Sequence, residues 1–232
     1  MTPLPVVEHA DLLRIEATKA LDPERRAELG QFLTPSALAR FMASFFEGFG
    51  PRVRLLEAGA GVGTLVAATV ARASARPKPP ERIHASVFEV DQAFAPYLRQ
   101  TLAGCEASSE RAGIRFGASI AQADFVEAGV MLLQTNLGSR RFTHAILNPP
   151  YKKVPSASRT RLLLRQAGIE TSNLYTAFVA LAVKLLEPGG ELVAITPRSF
   201  CNGPYFLSFR ELLLRETAIR RVHLFESRTA AF

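Results

Sequence analysis

The stretch RVRLLEAGAGVGTLVAATV, residues 52–70, decides the fold of this chain. Its first seven residues predict a buried strand, and its last seven open a helix. Between them, Gly59, Gly61 and Gly63 stand at alternate positions, where they let the backbone turn sharply and approach a ligand closely. A strand, a glycine-rich turn and a helix in this order predict the first unit of an α/β sheet. A plain tight turn is the alternative explanation of the glycines.

The spacing of the glycines excludes two phosphate-binding motifs. A Gly-x-Gly-x-x-Gly pattern that begins at Gly59 would need glycine in place of Thr64, and one that begins at Gly61 would need it in place of Val66. No Gly-Lys-Ser/Thr follows the turn, so a P-loop is excluded as well.

A second informative stretch, NPPY, occupies residues 148–151 and follows an apolar run that predicts a buried parallel strand over 142–147. Two successive prolines cannot continue a strand or enter a helix, so they fix the backbone just past the strand's carboxyl end. Open α/β sheets bind their ligands there. Asn148, a rigid carbonyl and Tyr151 suit a flat substrate that carries an NH2 group. A proline-rich turn that merely ends a strand is the alternative.

Together, EAGAGVG at 57–63 and NPPY at 148–151 resemble the class I S-adenosylmethionine-dependent methyltransferases. More narrowly, they resemble the amino-methylating DNA enzymes of restriction-modification systems, over residues 28–232. The resemblance implies a doubly wound, mostly parallel α/β sheet of the Rossmann-like type, with a final antiparallel strand. It also implies S-adenosylmethionine as the cofactor and no metal.

The stretch GQFLTP, residues 30–35, narrows the resemblance further. It is similar to a Gln-Phe-x-Thr-Pro segment that precedes the glycine loop and lines the cofactor pocket in adenine-N6 DNA methyltransferases of the gamma arrangement. The matching positions are Gln31, Phe32, Thr34 and Pro35. Without the resemblance, the same residues predict a helix over 36–46 with Thr34 as N-cap and Pro35 at its first position. The segment favours DNA over other substrates of amide-methylating relatives.

The resemblance assigns cofactor contacts to residues around the glycine loop. Glu57 is implied to lie near the methionine ammonium group. The backbone of Gly59 and Gly61 is implied to lie along the methionine portion, and the side chain of Asn148 is placed beside the cofactor as well.

Further cofactor contacts are implied at the ends of the next two strands. Glu89 would take both ribose hydroxyls in a short bidentate contact, or it is an ordinary surface residue beside Asp91. Asp124 would accept a hydrogen bond from the cofactor's adenine amine, with Phe125 packed on the ring. Alternatively, Asp124 is the N-cap of a helix that begins near Val126.

The acceptor chemistry implied by the resemblance involves Asn148, Pro149, Pro150, Tyr151 and Phe232. The side-chain oxygen of Asn148 and the carbonyl of Pro149 would accept the two N–H bonds of an adenine amine and make its nitrogen more tetrahedral. The base must be flipped out of the duplex, and Tyr151 would stack on it. Phe232 would pack on the opposite face, or it begins a seventh strand.

The charge of the chain favours a polyanionic partner. Among its 232 residues, basic side chains exceed acidic ones, and the net charge is +7. A basic cluster follows Tyr151 and offers a phosphate clamp, although a solvated loop and helix face would have the same composition. Its members are Lys152, Lys153, Arg159, Arg161 and Arg165.

Other compositional features exclude several classes of protein. No apolar stretch reaches the ~18 residues that span a bilayer, and residues 1–11 do not form a signal peptide. We therefore expect a cytoplasmic protein with no membrane partner, in which Cys105 and Cys201 are reduced thiols. The four histidines show no metal-ligand spacing.

The pattern of the whole chain predicts strands that alternate with helices. Strands are expected over 52–58, 82–89, 114–120, 142–147, 191–196 and 219–225. Helices are expected over 10–20, 36–46, 64–70, 92–102, 174–186 and 206–215, with a loop at 152–160 and a turn at 187–190. We assign 1–50 to an N-terminal helical segment that completes the cofactor pocket and 51–232 to a methyltransferase catalytic domain. From the resemblance, we expect residues 51–232 to end before the seventh strand and the C-terminal target-recognition domain of the family.

These features predict a DNA adenine-N6 methyltransferase that acts on double-stranded DNA, with a specificity or nuclease domain or subunit as a further partner. Methylation of a protein glutamine or an RNA amine is the first alternative, because those acceptors are also planar NH2 groups. A cytosine-N4 enzyme more often has Ser in place of Asn148. A non-catalytic cofactor- and DNA-binding module is the second class of alternative.

Overall fold

The computed structural model describes residues 4–20, 33–135 and 142–226. Its five strands form one parallel sheet in the order β3-β2-β1-β4-β5. The strands are β1 (Arg52–Ala58), β2 (Arg82–Phe88), β3 (Arg115–Ala121), β4 (Phe142–Leu147) and β5 (Leu186–Ala194). The helices are α1 (Val6–Ala20), α2 (Ser36–Ala43), α3 (Thr64–Ser74), α4 (Ala95–Arg111), α5 (Phe125–Gln134), α6 (Arg159–Gln166), α7 (Leu174–Leu185) and α8 (Leu207–Glu216).

The sheet reverses its winding between β1 and β4. From β1 the chain proceeds outward to β2 and β3, whereas β4 and β5 lie on the other side of β1. Leu56 of β1 is in register with Ala145 of β4, so the two strands end side by side. A crevice forms at such a switch point, outside the carboxyl ends of the strands, and it is the usual ligand site of an open α/β sheet.

Alternate residues of the central strands supply two apolar cores, one on each face of the sheet. Leu55 of β1 lies in the core that α1, α2, α3 and α4 cover. Its neighbour Leu56 lies in the core that α5, α7 and α8 cover. Both side chains are 0% exposed. Helices on both faces of a parallel sheet confirm the predicted doubly wound α/β fold.

The sixth predicted strand, 219–225, is wrong for the described part of the chain, where these residues form no strand. A strand needs a ladder partner, but this segment contacts aromatic side chains of α2 and the residues just after it. Arg221 lies over the ring of Phe45 at 5.2 Å, and His223 packs edge-on against Phe41 at 4.8 Å. The apolar residues of 219–225 produced the strand-like pattern in the sequence. In the structure, side-chain packing holds this segment in place, and its backbone pairs with no strand among the described residues.

Four other segments differ from the prediction. The turn expected at 187–190 lies inside β5. Phe142 of β4 pairs with Leu186 and His144 pairs with Glu191, so β5 has extra residues between these two pairs, and they form a bulge. The loop expected at 152–160 ends in helix α6. Ser158 caps the N-terminus of this helix, and its side chain accepts a hydrogen bond from the backbone amide of Arg161. Helices α1 and α4 are longer than their apolar spacing indicated.

The start of α2 also differs, because Thr34 does not cap it. The helix begins at Ser36, with Pro35 in the N-cap position and no cap hydrogen bond from its own side chain. Instead, the carboxylate of Asp11 in α1 accepts from the backbone amide of Ser36 at 3.0 Å. The hydroxyl of Thr34 is therefore available to bond elsewhere.

Candidate active site

The glycine loop after β1 takes backbone conformations that favour glycine. Gly61 has a φ of +54°, and a Cβ built on it would lie 2.5 Å from Cδ2 of Leu33. Leu33 therefore lies directly against the loop, and the positive φ angle strains any residue other than glycine at this position. The neighbour of Gly61 in the structure is thus the Leu33 side chain, and the close approach of this backbone to a ligand stays a prediction.

Two buried carboxylates flank the glycine loop. Glu57, the next-to-last residue of β1, is 1% exposed, and its Oε2 accepts from the backbone amide of Val66 in α3 at 2.9 Å. Burial raises the pKa of Glu57 well above its ordinary value, against the effect of the Val66 hydrogen bond. The nearby charge of Glu89 acts in the same direction as burial.

Glu89 follows β2 and holds the glycine loop from the other side. It is 4% exposed, so it is not the surface residue of the alternative interpretation. One carboxylate oxygen accepts from the backbone amide of Gly61 at 2.7 Å, and the other accepts from that of Asp91 at 2.8 Å. Burial raises the pKa of Glu89, and these hydrogen bonds oppose the shift.

Asp124 and Phe125 lie at the start of α5, after β3. Oδ1 of Asp124 accepts from the backbone amides of Val126 at 2.7 Å and Glu127 at 3.3 Å, so the capping interaction of the alternative interpretation is present. The ring of Phe125 is buried between those of Phe88 and Phe178, with centroids 5.2 and 5.1 Å away. Asp124 itself is exposed, so its carboxylate remains accessible to a ligand.

The NPPY stretch follows β4 and turns Asn148 toward the glycine loop. The Asn148 side-chain nitrogen donates to the hydroxyl of Thr34 at 3.0 Å. The Tyr151 hydroxyl lies 3.4 Å from the Asn148 side-chain oxygen and 3.4 Å from the carbonyl of Ile195, at the long limit of a hydrogen bond. Pro149 is buried and Pro150 half-buried, as expected of residues that fix the backbone here.

Tyr151 belongs to an aromatic group that the sequence did not indicate. Its ring meets that of Tyr175 from α7 edge-on at 6.2 Å, and Tyr175 lies 5.9 Å from Phe206, just before α8. The Tyr175 hydroxyl lies 3.2 Å from that of Ser199. These residues come from separate elements, so no local pattern could have linked them to the NPPY stretch.

A narrow cleft joins the glycine loop to Asn148. Its free volume is about 20 Å³ with Leu33 against Gly61, enough for about one water molecule. The cleft is lined by Leu33, Thr34, Glu57, Gly59, Ala60, Val62, Thr64, Leu65 and Asn148. A roomier cleft of about 150 Å³ lies where the end of α6 meets α7 and α8, but none of the predicted site residues lines it. Convergent polar groups favour the narrow cleft as the functional site.

Thr64 is a cleft residue that the sequence analysis missed. It is 3% exposed, and its hydroxyl has no hydrogen-bond partner among the described residues. A buried hydroxyl without a partner costs free energy, so its place in the cleft fits a polar ligand group. Glu57 lines the same cleft, and Glu89 lies outside its lining but bonds the glycine loop. Their carboxyl groups are of the kind that can accept from the ammonium group and the ribose hydroxyls of S-adenosylmethionine.

The predicted phosphate clamp is partly neutralised. Arg161 and Arg165 both pair with Glu170, and Arg159 lies 3.2 Å from Glu127. Lys152 and Lys153 are exposed beside Tyr151.

Three of the predicted site residues lie in parts of the chain that the structure does not describe. Gln31, Phe32 and Phe232 lie outside the described residues. Within 4–20, 33–135 and 142–226, no group of three or more His, Cys, Asp or Glu residues could hold a metal ion. In the same ranges, no helix combines the length and the hydropathy that crossing a bilayer requires.

Known structures support the fold. A protein from Listeria monocytogenes assigned to the class I S-adenosylmethionine-dependent methyltransferases superposes with a TM-score of 0.64 at 14% identity, over 91% of this chain and 60% of its own. The modification subunit assigned to a type I restriction enzyme from Vibrio vulnificus superposes with a TM-score of 0.62 at 16% identity, over 91% of this chain and 44% of its own. At these identities the likeness establishes the class I methyltransferase fold alone.

Sequence relatives identify the family. The Type II methyltransferase M.PstI of Providencia stuartii is 43% identical over 96% of this chain and 43% of its own length. M.BsuBI of Bacillus subtilis, also a Type II methyltransferase, is 46% identical over 98% of this chain and 45% of its own length. The chain thus spans less than half of either relative. Because residues 107–232 also match the family described as Eco57I restriction-modification methylase, the chain belongs to that family.

Proposed function

We propose that this chain transfers a methyl group from S-adenosylmethionine to the N6 amine of an adenine flipped out of double-stranded DNA. The observation that carries the proposal is the cleft in which Glu57, Gly59, Thr34 and Asn148 meet. Three separate sequence motifs converge there, at the switch point of the sheet. The names of the two Type II relatives support DNA as the substrate.

The cofactor would be held by residues on three strand ends. Glu57 would bind the ammonium group, and burial makes an unpaired negative charge costly there, so a cationic partner would stabilise the carboxylate. Glu89 would accept from the ribose hydroxyls, and Asp124 from the adenine amine. When bound, S-adenosylmethionine supplies an electrophilic methyl group on a sulfonium.

Asn148 and Pro149 would prepare the acceptor amine. The lone pair of an adenine amine is delocalised into its ring, and the nitrogen must become more tetrahedral to attack carbon. The side-chain oxygen of Asn148 and the carbonyl of Pro149 would each accept one N–H, which localises the lone pair and stabilises the developing positive charge. The amine nitrogen held by Asn148 and Pro149 would gain the methyl group and would then lose a proton to water, and the cofactor would retain the electron pair of the broken carbon–sulfur bond.

A dedicated general base is not part of this proposal. His144 is the nearest histidine in sequence to the NPPY stretch, but it is 5% exposed, and its Nε2 lies 2.8 Å from the carbonyl of Gly48. Burial lowers the pKa of His144 despite that hydrogen bond, so the ring has a structural role between β4 and the residues before β1.

Tyr151 and the two following lysines would contact the DNA. Tyr151 would stack on the extrahelical base, while Lys152 and Lys153 would meet the flanking phosphates. A specificity or nuclease domain or subunit would complete target recognition.

Transfer of label from S-adenosylmethionine tests the function. Purified protein is incubated with methyl-labelled S-adenosylmethionine and, separately, with duplex DNA, RNA and a glutamine-containing protein substrate. Label recovered as N6-methyladenine from DNA supports the proposal, and label in N4-methylcytosine, RNA or glutamine contradicts it. Cofactor and DNA binding without any transfer would favour the non-catalytic module.

A further inference from the structure

The hydrogen bond between Thr34 and Asn148 joins two motifs that are 114 residues apart. The donor is the Asn148 side-chain nitrogen, and the acceptor is the Thr34 hydroxyl, at 3.0 Å. Thr34 is 7% exposed, so water competes little for the contact. Its hydroxyl does not serve as a helix cap, because Asp11 provides the cap of α2.

The direction of this hydrogen bond matters for an amide side chain. An asparagine amide has an oxygen that only accepts and a nitrogen that only donates, and a half-turn exchanges them. The proposed reaction needs the oxygen toward the acceptor amine. With the nitrogen on Thr34, the Asn148 oxygen lies on the side of the Tyr151 hydroxyl, 3.4 Å away. That is also the side on which the base would stack.

The position of Thr34 is itself fixed by the fold. The Asp11 carboxylate accepts from the backbone amide of Ser36 at 3.0 Å and from Arg14 at 2.7 Å. Partial burial acts to raise the pKa of Asp11, but hydrogen bonds from Arg14 and Ser36 outweigh it, and the pKa is lowered. Helix α1 thereby anchors the start of α2 two residues after Thr34.

We propose that Thr34 is a positioning residue that holds the Asn148 side-chain oxygen toward the acceptor amine. This inference rests on the proposed function and adds to it. Thr34 would act through Asn148, so its loss would slow the methyl-transfer step while the affinity for S-adenosylmethionine remains.

The test compares Thr34→Val with Thr34→Ser. Valine has the shape of threonine without the hydroxyl, and serine restores the hydroxyl. We expect Thr34→Val to lower kcat by about tenfold, the value of one net hydrogen bond, with KM for DNA and the cofactor Kd changed less than about twofold. Thr34→Ser should recover most of kcat. Thr69→Val is the matched control, because Thr69 is also buried but bonds Leu65 of its own helix.

A second measurement needs neither cofactor nor activity. The side-chain NH2 of Asn148 gives a pair of NMR signals, assigned by their loss in Asn148→Asp. In the wild-type protein we expect one proton of the pair to be protected from exchange by Thr34. Thr34→Val should remove that protection, and Thr34→Ser should restore it.

The outcomes separate this inference from the proposed function. If the wild-type protein methylates no adenine but the Asn148 signals change as expected, the proposed function is wrong and the orientation of the amide stands. Unchanged signals in Thr34→Val would overturn the inference, as would an undiminished kcat in an enzyme that does methylate adenine. An equal loss of cofactor affinity in Thr34→Val would make Thr34 a cofactor ligand instead.

Discussion

Glu89 accepts a hydrogen bond from the backbone amide of Gly61 at 2.7 Å, which ties the end of β2 to the glycine loop after β1. The same carboxylate also accepts from Asp91 at 2.8 Å. Each carboxylate oxygen has a second lone pair, so Glu89 retains acceptor capacity for ribose hydroxyls while it holds the loop. The residue that would bind the cofactor therefore also shapes the loop against which the cofactor would lie.

The buried carboxylate of Glu57 should make stability depend on pH. Its pKa in the folded protein is raised above the ordinary value of 4.5. The folded state therefore binds the proton more tightly than the unfolded state, and the free energy of unfolding falls as pH rises from about 4.5 through the folded-state pKa. Glu57→Gln should remove this contribution, so that its stability relative to wild type increases from pH 5 toward pH 8 in urea denaturation.

Binding of S-adenosylmethionine offers a second test of the raised pKa of Glu57. A cationic ligand beside Glu57 would favour the ionised form, so binding should release protons at any pH at which the free protein still holds the Glu57 proton. Calorimetry in buffers of different ionisation enthalpy should detect the release in the wild-type protein and less of it in Glu57→Gln. A stability difference between the two proteins that does not vary with pH would show that Glu57 titrates normally.

Gly61→Val should abolish cofactor binding. A valine side chain at a φ of +54° is strained, and its Cβ would lie 2.5 Å from Leu33, in the space where the backbone must approach the ligand. Gly50→Val is the matched control, because a Cβ there meets nothing within 4 Å. We expect at least a tenfold loss of S-adenosylmethionine affinity in calorimetry for Gly61→Val and no change for Gly50→Val. Similar binding by both variants would remove the glycine loop from the cofactor site.

The segments that the sequence predicted correctly are those with a local physical cause. Strand β1, the glycine loop and α3 follow from apolar runs and from backbone angles that favour glycine, and β4 ends where two prolines prevent its continuation. Helix α6 was missed because its sequence, RTRLLLRQ, lies mostly on the surface and buries Leu164 alone. The strand expected at 219–225 failed because pairing requires a partner that no local pattern specifies.

The candidate site, like the fold, was predicted from the sequence only where a local pattern indicates it. Glu57 was predicted from the family resemblance and Asn148 from its place just after a strand, and the cleft brings the two residues together. The contact between Thr34 and Asn148 was not foreseen, because Thr34-Pro35 is also a good helix start and the capping by Asp11 arises only in the packed fold. The aromatic group around Tyr151 likewise depends on how α7 and the residues before α8 pack.

Asp124 has two possible roles that one pair of substitutions separates. Its Oδ1 caps α5, and the carboxylate would also accept from the adenine amine of the cofactor. Asp124→Ser should keep the capping interaction, but its shorter side chain should no longer reach the ligand. Asp124→Ala should lose both the cap and the contact with the ligand. We expect Ala to lower the free energy of unfolding by about 0.5–2 kcal/mol and both variants to weaken cofactor binding. Wild-type cofactor affinity in Asp124→Ser would leave Asp124 as a cap alone.

Asn148→Ala should remove methyl transfer and leave cofactor affinity nearly intact. In the proposed mechanism the lost oxygen would stabilise charge that develops only in the transition state, so the expected cost is about 2.7–4 kcal/mol of barrier, or ~100–1,000-fold in kcat. Single-turnover kinetics at saturating cofactor and DNA measure the effect. Asn202→Ala, at an exposed asparagine after β5, is the control. Near wild-type turnover in Asn148→Ala would contradict the assigned role.

Tyr151 and Phe232 are proposed to hold the extrahelical adenine between their rings. Stacking on one aromatic side chain is worth about 1–3 kcal/mol per base, so Tyr151→Ala and Phe232→Ala should each weaken binding of a duplex with an unpaired adenine by about 5- to 150-fold. Tyr151→Phe keeps the ring and loses the hydroxyl, whose contacts with Asn148 and Ile195 are long at 3.4 Å, so its affinity should stay close to wild type. Phe232→Trp should likewise retain most of the activity. Fluorescence anisotropy gives the DNA affinities, and calorimetry should show unchanged cofactor binding throughout. If Phe232→Ala binds this DNA as the wild-type protein does, while Tyr151→Ala does not, the base stacks on Tyr151 alone.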